Sequence, residues 1–204
     1  MAKQPVLQIT VPMSINVDGA PNAYGPENSK ALDYELNAHR GAKASGEIVG
    51  YLTEADGRTP IVQGPCDPFP GFFVSTTSYS DAKNPRKTDP RKYVNAAEIN
   101  FVVRASAAKD KGVMLGDICV VHSISKKSTV FALVADSGNS SGAEGSLALH
   151  QRLGYAAPSG KTGGVETKDI MVRYFTGTNP DKRFFFTQKR LDDFARELDF
   201  DTSL

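Results

Sequence analysis

The chain has 204 residues, 40% hydrophobic and 23% charged, with 24 Lys and Arg against 23 Asp and Glu for a formal net charge of +1. That balance excludes a protein built chiefly to wrap nucleic acid, which needs a surplus of cations, and excludes a charged disordered tail. No run approaches the roughly 18 apolar residues of a membrane-spanning helix, so the composition predicts a globular chain, read as one domain over 1–204.

Taken in chain order, the N-terminal stretch MAKQPVLQIT has no continuous apolar core and no small-residue cleavage site, and so does not read as a secretory signal. Short runs rich in Val, Ile, Phe and Tyr, separated by Gly, Pro, Asn and Asp, predict strands at 6–17, 47–53, 59–63, 71–79, 97–105, 117–123, 129–135 and 169–175. Many short strands suggest a β barrel or sandwich. Asp56-Gly57, between two such runs, predicts a tight hairpin turn. Residues 82–92 (AKNPRKTDPRK) hold five bases, one acid and two prolines and read as an exposed loop, with contact to an acidic partner as the alternative. Apolar spacing predicts helices over 142–153, stopped by Gly154, and over 187–198. The stretch 190–204 carries five acids and two bases, the outer face of a terminal helix. Cys66 and Cys119 are too few for a disulfide framework or a Cys-x-x-Cys metal site, which leaves one optional disulfide.

The sequence contains no phosphate-binding glycine loop, no dinucleotide fingerprint, no His-Glu-x-x-His and no Gly-x-Ser-x-Gly elbow. His39, His122 and His150 are scattered and read as structural or surface residues. One segment invites a mechanism: an apolar strand runs into Asp136, a Ser-, Gly- and Asn-rich loop follows, and Glu144 opens the next predicted helix. The two acids are 144 − 136 = 8 residues apart, so an extended loop would separate them by roughly 26 Å. The loop must fold back to bring them within the ~5 to 9.5 Å that glycosidic chemistry requires. That chemistry uses one carboxyl as proton donor and a second to activate water or stabilise the oxocarbenium-like transition state. A helix N-terminus would favour ionised Glu144 and burial would oppose it. Equally, Glu144 reads as a helix-stabilising first-turn acid and Asp136 as a turn residue.

Longer stretches add to this: DGAPNAYGP (18–26), QGPCDPFPGFFVSTTSY (63–79), YVNAAEINFVV (93–103), MLGDICV (114–120) and the 136–144 segment occur in order. In these the chain resembles glycoside hydrolase family 75, the chitosanases, over about residues 6–175, leaving a C-terminal strand and helix in 176–204. The resemblance implies a mainly β fold, a double-psi β-barrel-like single domain with a few short helices. It also implies endo-hydrolysis of β-1,4-linked glucosamine polymers with inversion, by a monomer needing no cofactor and no metal. The essential carboxylates fall on Asp136, as proton donor, and Glu144, as base. Asp18, Tyr24, Ser137 and Asn139 are implied to bind the polysaccharide, in a cleft made acidic by residues such as Asp18, Glu27, Asp33, Asp136 and Glu144. No nucleic acid or membrane partner is implied. Two cysteines and no signal depart from secreted members of the family and suggest delivery outside the cytoplasm by another route. Peptidoglycan cleavage by a lytic enzyme of the same fold, and non-catalytic carbohydrate binding, are the alternatives.

Overall fold

The computed structural model describes residues 2–27 and 29–201. Six strands form a closed barrel: β1 (Leu7–Asn16), β2 (Phe101–Val103), β3 (Ile118–Ser123), β4 (Ser128–Asp136), β5 (Glu144–Ser146) and β6 (Val165–Tyr174). Their order around the barrel is β1-β5-β2-β4-β3-β6. The β1/β5 and β2/β4 pairs are parallel and the other four antiparallel. Closure leaves no open sheet edge. Three short helices accompany it: α1 (Ser106–Asp110), α2 (Leu147–Leu153) and α3 (Gln188–Arg196).

Strand alternation builds two cores. Met13, Val102, Cys119, Val121, Ala132, Val134, Ile170, Val172 and Tyr174 converge with Leu149 and Leu153 of α2 as the barrel's own core. The intervening residues, Phe101, Ile118, Val120, Leu133 and Ala135, pack the other way against Leu191 and Ala195 of α3 and the long segment from Val17 to Ala96. Side chains two apart along a strand share a face, so one continuous apolar strand serves both layers.

Several predicted boundaries shift. The runs 47–53, 59–63 and 71–79 form an irregular layer joined by single antiparallel bridges, Thr53 to Pro60, Val62 to Phe73 and Tyr51 to Ser75. The hairpin at Asp56-Gly57 forms with Gly57 at φ +68°. Its turn is wider than two residues: Glu54 N–H donates to Thr59 O, and the Asp56 carboxylate accepts from the Arg58 and Thr59 amides. Only Phe101–Val103 of 97–105 is strand, and α1 was not expected. The helix predicted over 142–153 begins at Leu147, because Ser146 is its N-cap, accepting from Leu149 N–H, and Glu144 belongs to β5. Gly154 ends it in the left-handed conformation, as expected.

No strand forms in 176–201; Phe200 makes a single bridge to Lys3. The acidic C-terminal stretch outruns α3: Asp192 and Asp193 lie on the helix, Glu197, Asp199 and Asp201 beyond it, and residues 202–204 fall outside those described. The basic loop is largely self-satisfied. Arg86 and Arg91 pair with Asp89, Arg91 reaches Asp67, and Lys92 Nζ donates to the carbonyls of Asp81 and Asn84. Cys66 is exposed and Cys119 buried, and both are free thiols. Among the described residues no helix is long and apolar enough to cross a membrane.

Candidate active site

Asp136 ends β4, where a register shift against β2 sets it opposite Val103 instead of Ala135. Such a bulge re-aims a side chain at a strand end. The residue is 7% exposed, and its carboxyl Oδ1 accepts from Ser78 Oγ at 2.6 Å, Ser137 N at 2.9 Å and Ser78 N at 3.1 Å. No donor from a described residue reaches Oδ2. Burial pushes this carboxyl above the ordinary range, the three donors pull it back, and the nearby Glu144 charge adds to the rise.

Glu144 opens β5, aligned with Ser14 of the parallel strand β1. It is not on a helix, and the N-cap of α2 lies two residues further on, so the field expected from a helix N-terminus is not what holds it. Two amides do: Asn139 Nδ2 donates to Oε1 at 2.7 Å and Asn16 Nδ2 to Oε2 at 3.3 Å. Asn139 also folds the loop back, since its Oδ1 accepts from Ser141 N and Oγ, while Gly138 and Gly142 take positive φ of 125° and 70°. Asp136 and Glu144 therefore face one cleft despite the eight-residue spacing.

Asp18 follows β1, its amide donating to Asn16 Oδ1 at 2.8 Å, so Asn16 ties Asp18 and Glu144 together. Its Oδ1 accepts from Tyr24 Oη at 2.8 Å. Gly50 makes room for the pair, because a Cβ there would sit 2.9 Å from both Asp18 Oδ1 and the Tyr24 ring. Asp18 is half-buried by surface yet surrounded by protein. Burial, then the Asp136 charge, push its carboxyl well up, Tyr24 opposes, and Glu144 and Asp33 add to the rise.

All six residues singled out in sequence, Asp18, Tyr24, Asp136, Ser137, Asn139 and Glu144, line one cleft of about 800 Å³. Asp33 lines it too, with its Oδ1 held by Tyr34 N and Asn37 Nδ2. Glu27 is exposed and is not part of the lining. Ser78, Asn16, Asn37 and His39 were not expected at the site. His39 lines the cleft with both ring nitrogens buried and without a partner among the described residues, unlike His122, which meets Thr129, and His150, fully buried in α2 against the carbonyls of Ser146 and Met13. A smaller groove of about 240 Å³, among Phe69, Tyr93, Phe184 and Phe186, is separate and mainly apolar.

No family model and no curated protein matches this chain.

Four carboxyl groups converge, while the Arg40 guanidinium at the rim is tied to Glu47 at 2.8 Å. Lys161 lies near Asp33, with its ammonium 5.3 Å from the Tyr34 ring centre. Among the described residues, no group of three or more His, Cys, Asp or Glu is arranged to hold a metal ion. The arrangement can offer one carboxyl biased toward its proton and another held by neutral amides, open to water from a wide cleft.

Proposed function

We propose that the protein is an endo-acting glycoside hydrolase of the chitosanase type, cleaving β-1,4 bonds of a glucosamine-containing polysaccharide with inversion. The observation that carries the reading is the pair of unlike environments in one cleft: a buried Asp136 whose Oδ2 no described residue reaches with a donor, and Glu144 gripped at both oxygens by amide donors. Acid–base hydrolysis needs two carboxyls whose surroundings differ in this way. The excess of carboxyls over free cations suits a substrate that carries ammonium groups. The ordered motif resemblance supports the same activity, and a six-stranded closed barrel with two parallel pairs supports the double-psi reading.

In the reaction, Asp136 gives its proton to the glycosidic oxygen as the C1–O bond breaks, while Glu144 takes a proton from the water whose oxygen bonds to C1. The products are two hydroxyl-terminated chains. Asp136 is left ionised and Glu144 protonated, and exchange with solvent restores both. Asn139 and Asn16 orient Glu144, and Ser78 and Ser137 orient Asp136. Mass analysis of products from partly acetylated chitosan and from cell-wall sacculi, run side by side, tests the substrate. Glucosamine oligomers from chitosan are expected; release from sacculi alone would assign the peptidoglycan reading, and binding without product the non-catalytic one.

A further inference from the structure

Asp33 lines the cleft but has no part in the two-acid mechanism. The residue is 7% exposed, and half of its carboxyl is committed: Oδ1 accepts from Tyr34 N at 2.7 Å and from Asn37 Nδ2 at 2.8 Å. Oδ2 receives no donor from a described residue. Gly160, which lines the same cleft, leaves room at that oxygen, because a Cβ there would lie 2.9 Å from Oδ2 and 2.8 Å from Val17 Cγ1. Burial pushes the Asp33 carboxyl up, and the Asn37 and Tyr34 donors and the Lys161 charge oppose it. A buried carboxylate oxygen without a donor is costly, so this one is set to take a donor from the cleft.

The neighbouring side chains point to the kind of donor. Tyr34 is 59% exposed, and the Lys161 ammonium stands 5.3 Å from the centre of its ring, near enough to Asp33 for its charge to act there. That ammonium donates to no described residue. A cation over an aromatic face beside a carboxylate is held by the ring and the anion together. The chain therefore places a primary ammonium of its own beside Asp33, the same group that C2 of a glucosamine unit carries and that N-acetylation neutralises.

We propose that Asp33 and the Tyr34 ring form a specificity subsite for the 2-ammonium of one glucosamine unit, and that Lys161 holds this place until substrate displaces it. The proposal deepens the hydrolase reading and rests on it for the substrate. The arriving ammonium donates to Asp33 Oδ2, and Lys161 moves off toward solvent on its flexible stem. An N-acetylated unit brings no charge to the carboxylate and binds more weakly there.

The experiment compares the wild type, Asp33→Asn and Lys161→Gln on fully deacetylated chitosan, and then sequences by mass spectrometry the products each releases from partly acetylated chitosan. In Asp33→Asn, KM is expected to rise about tenfold or more with kcat changed less, the loss of one charge-assisted hydrogen bond. In Lys161→Gln, where the competing ammonium is gone, KM is expected to fall. Wild-type products are expected to show glucosamine at one fixed position counted from the cut, and Asp33→Asn to accept N-acetylglucosamine there. Acetylated units spread evenly over every position in the wild type, the same restriction kept by Asp33→Asn, or a KM unchanged or raised in Lys161→Gln would overturn the proposal. A second measurement needs neither turnover nor a variant: NMR titration of the wild type with glucosamine, at a pH where its amine is protonated, and with N-acetylglucosamine. Saturating shifts of the Tyr34, Gly160 and Lys161 amides with glucosamine alone are expected; equal shifts with both sugars, or none with either, would overturn the subsite. A wild type inactive on every glycan sinks the hydrolase reading, while this titration still judges the subsite.

Discussion

Gly19 places Asp18, and replacing it tests how tightly the cleft floor is set. Its backbone is left-handed at φ +79°, its amide donates to Ser75 Oγ at 2.9 Å, and a Cβ would lie 2.2 Å from Val94 O and 2.8 Å from Thr77 Cγ2. Restoring an ordinary 3.4 Å contact to the carbonyl requires 3.4 − 2.2 = 1.2 Å of movement, against a backbone rather than a flexible side chain. Gly19→Ala therefore costs about 1–2 kcal/mol of backbone strain and about 1–3 kcal/mol of overpacking, about 2–5 kcal/mol together. Gly57→Ala is the matched control, since Gly57 is also left-handed at φ +68° but has nothing within 4 Å of its Cβ position. It incurs the strain alone. Urea unfolding followed by circular dichroism, suited to a chain without Trp, reads the difference. A displacement of about 1 Å at the adjacent Asp18 is expected to lower kcat/KM by about 10², with Gly57→Ala unchanged. Equal destabilisation of the two variants, or full activity in Gly19→Ala, would refute the packing argument.

Two further expectations concern pH. Asp169, buried where β6 meets the β3–β4 turn, accepts from Ser123 Oγ, Ser125 N, Ser125 Oγ and Tyr155 Oη. Despite the opposing effect of burial, these donors lower its carboxyl to about 2. The folded state then binds its proton less readily than the unfolded, so this stabilisation is complete above about pH 4 and fades as pH falls toward about 2. Asp169→Asn is expected to lose about 1–2 kcal/mol at pH 7 in urea titrations, discounted for the nearby solvent, with the deficit shrinking over that window. A deficit that does not change with pH would contradict it. Asp18 has the opposite sign. Its raised carboxyl means that the folded state keeps the proton longer, so the wild type loses stability as pH rises from about 4 through the folded value. Asp18→Asn is expected to be more stable than the wild type near neutrality and no more stable below about pH 4, a stability gain bought with activity. A net loss at neutral pH would count against a strained cleft.

Much of the barrel is legible in the chain because its strands are dense in β-branched residues: 118–123 and 128–136 fall within one residue of expectation. Strand β5 is not, since Glu-Gly-Ser has no alternation and is fixed from outside. Gly145 fits there because a Cβ would meet Met13 Sδ at 2.7 Å and Leu149 Cδ2 at 2.8 Å. The segment 47–79 carries strand composition, but its pairings are single bridges, so periodicity overstates its regularity. At the site, Asp136 and Glu144 are legible because one strand end and one short loop hold both. Ser78 and Asn16 are not, because they reach Asp136 and Glu144 across 58 and 128 residues of sequence, and nothing in the local pattern of a serine or asparagine records such a partner.

On the proposed reading, two carboxyls in unlike surroundings cleave a glucosamine polymer. Reducing-end release from chitosan by the wild type, Asp136→Asn and Glu144→Gln, with circular dichroism confirming that each is folded, tests it most directly. Turnover by the wild type and a loss of about 10² or more in each variant are expected. Undiminished release by either folded variant, or no release from chitosan by the wild type, would contradict it.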